Sequence, residues 1–192
     1  MKKNLIIISL IIIVLILSGL IIFNSVKSQN SVSALSCIAP SSAQTTVDDL
    51  NLSHHHLTSI GSHIYDQTNV TQLNLSYNQI RNLPTQMGNM INIRSLNLSH
   101  NQLQGNLIGQ ICNMPLRTLD ASNNQLTGIP SQISSLSYLQ SLNLSNNKIT
   151  TLPSQIFLMT NLKELNLSGN PLSKSQVNEL KNKLIHTKIT LT

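Results

Sequence analysis

The sequence has no tryptophan, three tyrosines and two phenylalanines in 192 residues, and only 9% of its side chains are charged. A nucleic-acid surface needs a basic stripe interleaved with stacking aromatics, and neither is present. The formal net charge is +6, but Lys2, Lys3 and Lys27 supply half of it, and residues 47–192 carry nine Lys or Arg against six Asp or Glu. Cysteine is as scarce. Cys37 and Cys112 are too few for a disulfide framework. They pair only if the stretch around Cys37 folds back over the rest of the chain, and two separate thiols, with Cys112 packed as a small hydrophobe, is the preferred reading. The seven glycines form no phosphate-binding loop, and there is no Gly-x-Ser-x-Gly elbow and no Cys/His couple of catalytic spacing. Hence no catalytic residue, cofactor or metal is assigned.

Acidic residues are absent altogether from residues 1–46, which begin with a long apolar run. Leu5 to Phe23 is 19 residues without a charge, preceded by Lys2 and Lys3. At ~1.5 Å per residue a helix of that length reaches about 28 Å, close to the ~30 Å hydrocarbon core of a bilayer. The run is therefore expected to be a single apolar helix crossing a membrane once, with its basic start on the cytoplasmic side and everything after it outside. Two alternatives stay open: cleavage as a signal at Val32-Ser33-Ala34, which would give a secreted protein, or lipidation at Cys37 after Ala34-Leu35-Ser36. Residues 25–46, rich in Ser, Gln, Asn and Val, read as a flexible tether whose last part lies at the edge of the domain that follows.

What is plentiful is leucine at a fixed interval. Leu50, Leu73, Leu96, Leu119, Leu142 and Leu165 are each 23 residues apart, and two places after each stands Leu52, Leu75, Leu98, Ala121, Leu144 or Leu167. Apolar residues alternating with polar ones predict short strands with one buried face, and stacked copies predict a parallel sheet. A unit this thin cannot bury its apolar face alone, so it must lie between neighbours.

Five places after each of the first leucines comes Asn78, Asn101, Asn124, Asn147 or Asn170, with His55 in the first unit. An inward amide there can both donate to and accept from the turning backbone. Leu57, Ile80, Leu103, Leu126, Ile149 and Leu172, then Ile60, Leu83, Ile129 and Leu152, complete the core from the far side. Pro84, Pro130 and Pro153 follow, with apolar residues at spacings of three, which predict a helical or 3₁₀ turn on the outer surface. The third unit has Asn106 where Leu is expected, and Leu107 one place late, yet its length is kept. A local bulge is expected there. Beyond Asn170-Pro171-Leu172, Ser173 with Gln176 forms a capping box, and Val177, Leu180 and Leu184 lie at helical spacing, so a helix from Ser173 to about His186 and a closing strand at Ile189 and Leu191 are expected.

The pattern Leu139-x-x-Leu142-x-Leu144-x-x-Asn147-x-Ile149, repeated over 47–172, resembles the leucine-rich repeat, and the Gly169-Asn170-Pro171-Leu172-Ser173 stretch resembles the carboxy-terminal caps of bacterial members. The resemblance implies an α/β leucine-rich-repeat solenoid, with a curved parallel sheet on the concave face, short helical or 3₁₀ turns on the convex face, and a role in binding other macromolecules. The expected organisation is an anchor at 1–24, a tether at 25–46, six repeats at 47–172 and a cap at 173–192.

The expected function is non-catalytic: a binding module for a protein ligand, or for glycan, held by the membrane through residues 5–23. Structural surface or glycan-binding roles, and an enzyme or metal-binding subunit built on its histidines, are the ranked alternatives. Tyr77, Arg94, His100, Arg117 and His54 are the bulkiest candidates on the outward strand face, and Tyr and Arg concentrate interface energy. In the run His54-His55-His56 neighbouring strand residues point to opposite faces, so only His54 and His56 could share a metal site, and no Cys or carboxylate spacing supports one. Asn-x-Ser/Thr occurs at Asn51, Asn69, Asn74, Asn97, Asn143 and Asn166, five of them belonging to the repeated word Asn-Leu-Ser.

Overall fold

The computed structural model describes residues 49–107 and 109–191. The apolar run at 5–23, the tether and Cys37 lie outside the described residues, as does the N-terminal helix expected for that run. Among the described residues no helix is long and apolar enough to cross a membrane.

Every recurrence of the leucine pair makes a three-residue strand: β1 Asp49–Asn51, β2 Gln72–Asn74, β3 Ser95–Asn97, β5 Thr118–Asp120, β7 Ser141–Asn143 and β8 Glu164–Asn166. They pair in parallel in the order β1-β2-β3-β5-β7-β8-β9, where β9 is Lys188–Thr190. Register is strict, Leu50 opposite Leu73, Leu73 opposite Leu96, Leu96 opposite Leu119, and so on to Leu165 opposite Ile189. A slip of one residue would turn every leucine to solvent. The central leucines Leu73, Leu96, Leu119, Leu142 and Leu165 are each 1% exposed, so the equal spacing in sequence becomes one continuous apolar wall.

The outer side is built from 3₁₀ turns at Thr85–Asn89, Gly109–Asn113, Ser131–Ser135 and Ser154–Leu158, and from a single α turn, α1, at Ser62–Tyr65. Pro84, Pro130 and Pro153 each open one of these turns with φ near −70°, and each carbonyl accepts at 3.1 Å from the N–H three residues on. Proline suits that place because its fixed φ starts the turn and its missing N–H is not required there. Met87, Ile111, Ile133 and Ile156 point back into the core at zero exposure.

The expected bulge in the third unit is present and has a consequence the periodicity does not show. Gln104–Asn106 (β4) and Gln125–Gly128 (β6) make a second, two-stranded parallel sheet, with a register shift between Gly105 and Asn106. Gly105 takes φ +68°, a conformation side chains disfavour. The Asn106 side chain lies where a Cβ on Gly128 would sit. The irregularity is absorbed locally, since Leu96 and Leu119 remain opposite each other.

At the C-terminal end α2 runs Lys174–Lys183, with Ser173 as its N-cap and its end three residues before the one the sequence suggests, Leu180 buried and Leu184 at its C-cap. Ser173 Oγ accepts from Gln176 N at 3.3 Å. Turned so that both amide atoms find partners, the Gln176 side chain donates to Thr150 O at 2.8 Å and accepts from Leu152 N at 3.0 Å. That orientation gives up a longer 3.4 Å bond from Ser173 N. We prefer it because it ties the helix to the fifth repeat with two shorter bonds.

Candidate functional site

The asparagine five places after each leucine does what its position requires. Asn101 Nδ2 donates to Leu75 O at 2.9 Å and Leu98 O at 3.1 Å, while its Oδ1 accepts from Ile80 N at 3.0 Å. Asn78, Asn124, Asn147 and Asn170 repeat this pattern, each joining its own turn to the preceding one. In the first unit His55 Nδ1 meets Ser53 O at 2.6 Å, the contact Asn78 Nδ2 makes to Ser76 O in the next. These side chains are structural, and the surface available to a ligand lies on the other face of the strands.

That face carries two outward columns. In the one closer to the strand ends, Asn51, Asn74, Asn97, Asn143 and Asn166 each accept on Oδ1 from the N–H of the serine two residues on, at 2.9 to 3.2 Å. Four of those serines also donate their hydroxyl to the same oxygen. This is an Asx turn, and it ends each strand. The same oxygens belong to five of the six Asn-x-Ser/Thr sites, whereas Asn69 is exposed outside the sheet. Asp120 holds the sixth place in the column: Oδ1 accepts from Ser122 N at 2.9 Å and Oδ2 from Asn143 Nδ2 at 3.0 Å. The other column is Asp49, Gln72, Ser95, Thr118, Ser141, Glu164 and Lys188, in which Thr118 Oγ1 donates to Ser95 Oγ at 2.8 Å.

Between β3 and β9 these columns line a trough of about 450 Å³. Its side chains are hydroxyls, amides, two carboxylates and one ammonium over the leucine backbone, with no aromatic ring.

The five residues singled out from the sequence do not form one group. His54, Tyr77 and His100 are brought together just beyond the strand ends, where their rings stack: centroids are 4.4 Å apart for His54 and Tyr77 and 4.1 Å for Tyr77 and His100, with planes within 10°. Arg94 and Arg117 sit at the opposite end of the strands, one residue before β3 and β5. Five residues, the strand and the Asx turn that ends it, lie between Arg94 and His100 and separate the two sets. Arg94 Nη1 rests on Ile91 O and Ile93 O at 3.4 Å, and Arg117 and Lys163 make no ion pair among the described residues. Those residues include no group of three or more His, Cys, Asp or Glu placed to hold a metal ion.

One feature of the ring stack is not legible from spacing. His54, Tyr77, His100, Asn123 and Asn146 all have φ between 53° and 60°, and Gly169 has φ +69°. The left-handed conformation costs about 1–2 kcal/mol for a residue with a side chain. It aims each N–H at the next unit: His54 N to Ser76 O, Tyr77 N to Ser99 O, His100 N to Ser122 O, at 3.0 to 3.2 Å. The backbone ladder thus continues past the strands and holds the rings in register. Further along, Asn146 Nδ2 donates to Asn123 Oδ1 at 3.1 Å in place of a ring contact. Asn and Gly at this place are the readable signal, because they enter the left-handed region most easily; His and Tyr conceal it.

A model of the family described as leucine rich repeat matches residues 45–103 and 115–172. Among solved structures, a leucine-rich repeat protein of Leptospira interrogans is similar with a TM-score of 0.57 and 30% identity, over 71% of this chain and 41% of that one. The plant peptide hormone receptor RGFR1, solved in complex with RGF2, has a TM-score of 0.59 and 31% identity over 70% of this chain and 22% of that one. The Arabidopsis receptor kinase HAESA, solved in complex with the peptide hormone IDA and a co-receptor, has a TM-score of 0.66 and 29% identity over 78% of this chain and 26% of that one. The chain thus spans less than half the length of each. No curated protein matches it significantly by sequence.

Proposed function

The chain belongs to the leucine-rich repeat family, and from that premise we propose that it is a non-catalytic binding module, displayed outside the cytoplasm on a membrane anchor, whose sheet face takes a protein ligand. The observation that carries the reading is the trough between β3 and β9, an exposed polar surface on a rigid backbone ladder. Such a surface is pre-organised, so ligand contacts cost little ordering of the receptor. Two of the similar structures are receptors solved with peptide hormones, which supports a peptide or protein as ligand. Glycan is the weaker alternative, since the trough offers a sugar ring no aromatic face. The rings of His54, Tyr77 and His100 are stacked on one another, so Tyr77 has neither face free.

Anchoring and side are supported by the sequence: a bilayer-length apolar run at 5–23 behind Lys2 and Lys3. Carbonate extraction of membranes, with digestion of the repeats by protease added to sealed cells, is the test. A full-length protein found free in the cytosol contradicts this reading. An intact-mass measurement on the mature protein separates a retained anchor from signal cleavage and from lipidation at Cys37. Crosslinking through positions 77 and 94, one at each end of the strands, identifies the partner and the end it occupies.

A further inference from the structure

The asparagine column of the sheet face is a row of oriented donors. In each Asx turn the partner is a backbone N–H, so the amide atom facing it must be oxygen, and the NH₂ is turned away. Among the described residues Nδ2 of Asn51, Asn74, Asn97 and Asn166 makes no hydrogen bond, and that of Asn143 is taken by Asp120. Neighbouring strands lie ~4.8 Å apart, so these groups repeat at that interval across the sheet.

A second observation points the same way. Arg94, Arg117 and Lys163 stand exposed at the entries of β3, β5 and β8, in one line along the edge of the trough, and no carboxylate among the described residues pairs with any of them. The line is continuous in the backbone, since Arg117 N donates to Arg94 O, Gln140 N to Arg117 O and Lys163 N to Gln140 O. Within the trough Asp120 has both oxygens occupied, and Glu164 lies 3.8 Å from Lys188. On this face Arg94, Arg117, Lys163 and Lys188 outnumber the carboxylates of Asp49, Asp120 and Glu164, and the three cations along the edge are the ones left without a carboxylate partner among the described residues.

We propose that the face binds an extended acidic peptide segment laid across the strands, its carboxylates on Arg94, Arg117 and Lys163 and its backbone carbonyls on the amide row. The inference rests on the protein-binding reading above and adds the chemistry of the ligand. Asp120, the one carboxylate in the amide column, acts as a specificity residue: its charge opposes a ligand acid seated on Arg117 at the same strand.

The test is selection from a random peptide library on the full chain, followed by fluorescence anisotropy with a glutamate-rich peptide, its glutamine counterpart and polygalacturonate. Library binders are expected to be enriched in Asp and Glu, and the glutamate peptide to bind about tenfold tighter than the glutamine one. Arg94→Gln and Arg117→Gln should each weaken it by about three- to tenfold. Asp120→Asn should strengthen it by about threefold, and Lys181→Gln, on the cap helix, should leave it unchanged. Binders without acidic enrichment, or glutamate-peptide affinity indifferent to all three trough variants, overturn the acidic-ligand proposal and leave the protein-binding reading standing. If no library peptide binds, with or without binding of polygalacturonate, both fall.

Discussion

A single asparagine per unit closes the backbone account of this fold. Asn124 is 8% exposed, and its amide satisfies Leu98 O, Ala121 O and Leu103 N in two successive turns. Removing it in Asn124→Ala leaves those groups without partners in a place water reaches poorly, and is expected to cost about 1–3 kcal/mol in urea unfolding. Cys112 makes a different residue-scale prediction. Burial, at 1% exposure, pushes its thiol up from 9.0 to about 11. The folded state therefore holds this proton more tightly than the unfolded one. Stability from that difference is complete below pH 9.0 and is lost as pH rises toward about 11. A fall in melting temperature over that window, smaller in Cys112→Ala, checks the sign. In the folded protein at neutral pH Cys112 should resist alkylation.

At the scale of elements, the cap is the place where the chain changes from stacking by repetition to stacking by specific contacts. Gln176 serves Thr150 O and Leu152 N of the fifth repeat, and Lys183 lies 4.6 Å above the Phe157 ring. Gln176→Ala is expected to lower stability by about 1–2 kcal/mol, against almost nothing for the exposed Ser175→Ala beside it, as read by thermal melts. The strands of the large sheet were legible in the sequence because burial alternates with period two in β1, β2, β3, β5, β7 and β8, and register follows from the 23-residue spacing. Cap helix and closing strand were legible because a capping box and a change of period mark them. The small sheet of β4 and β6 was not: it arises from the one-residue shift at Gly105 and Asn106, which the sequence reports as an irregularity but not as a pairing. Of the candidate contacts, the 23-residue spacing does not show that Tyr77 and Arg94 lie at opposite ends of their strands. Nor does a sequence period carry the sign of φ, so the left-handed places of His54 and Tyr77 became visible only in the backbone.

For the whole molecule, stability is a sum over interfaces between layers, and what matters is that each layer matches the next. Deleting Leu139 to Asn161, one full period, removes β7 and brings β8 against β5 in the register β7 now holds. Such a variant should remain folded, with the same strand signal by circular dichroism and a lower melting temperature. Deleting 139–150 instead leaves half a layer and should abolish cooperative unfolding. Both outcomes test whether nearest neighbours alone sustain the core.

A lattice of nearly identical rungs has a weakness as a receptor, since a strip lying across it can shift by one rung and lose almost nothing. Asp120 breaks that equivalence. By placing one unlike rung among Asn74, Asn97, Asn143 and Asn166, it gives a sliding guest a single alignment of lowest energy, much as one odd tooth indexes a gear.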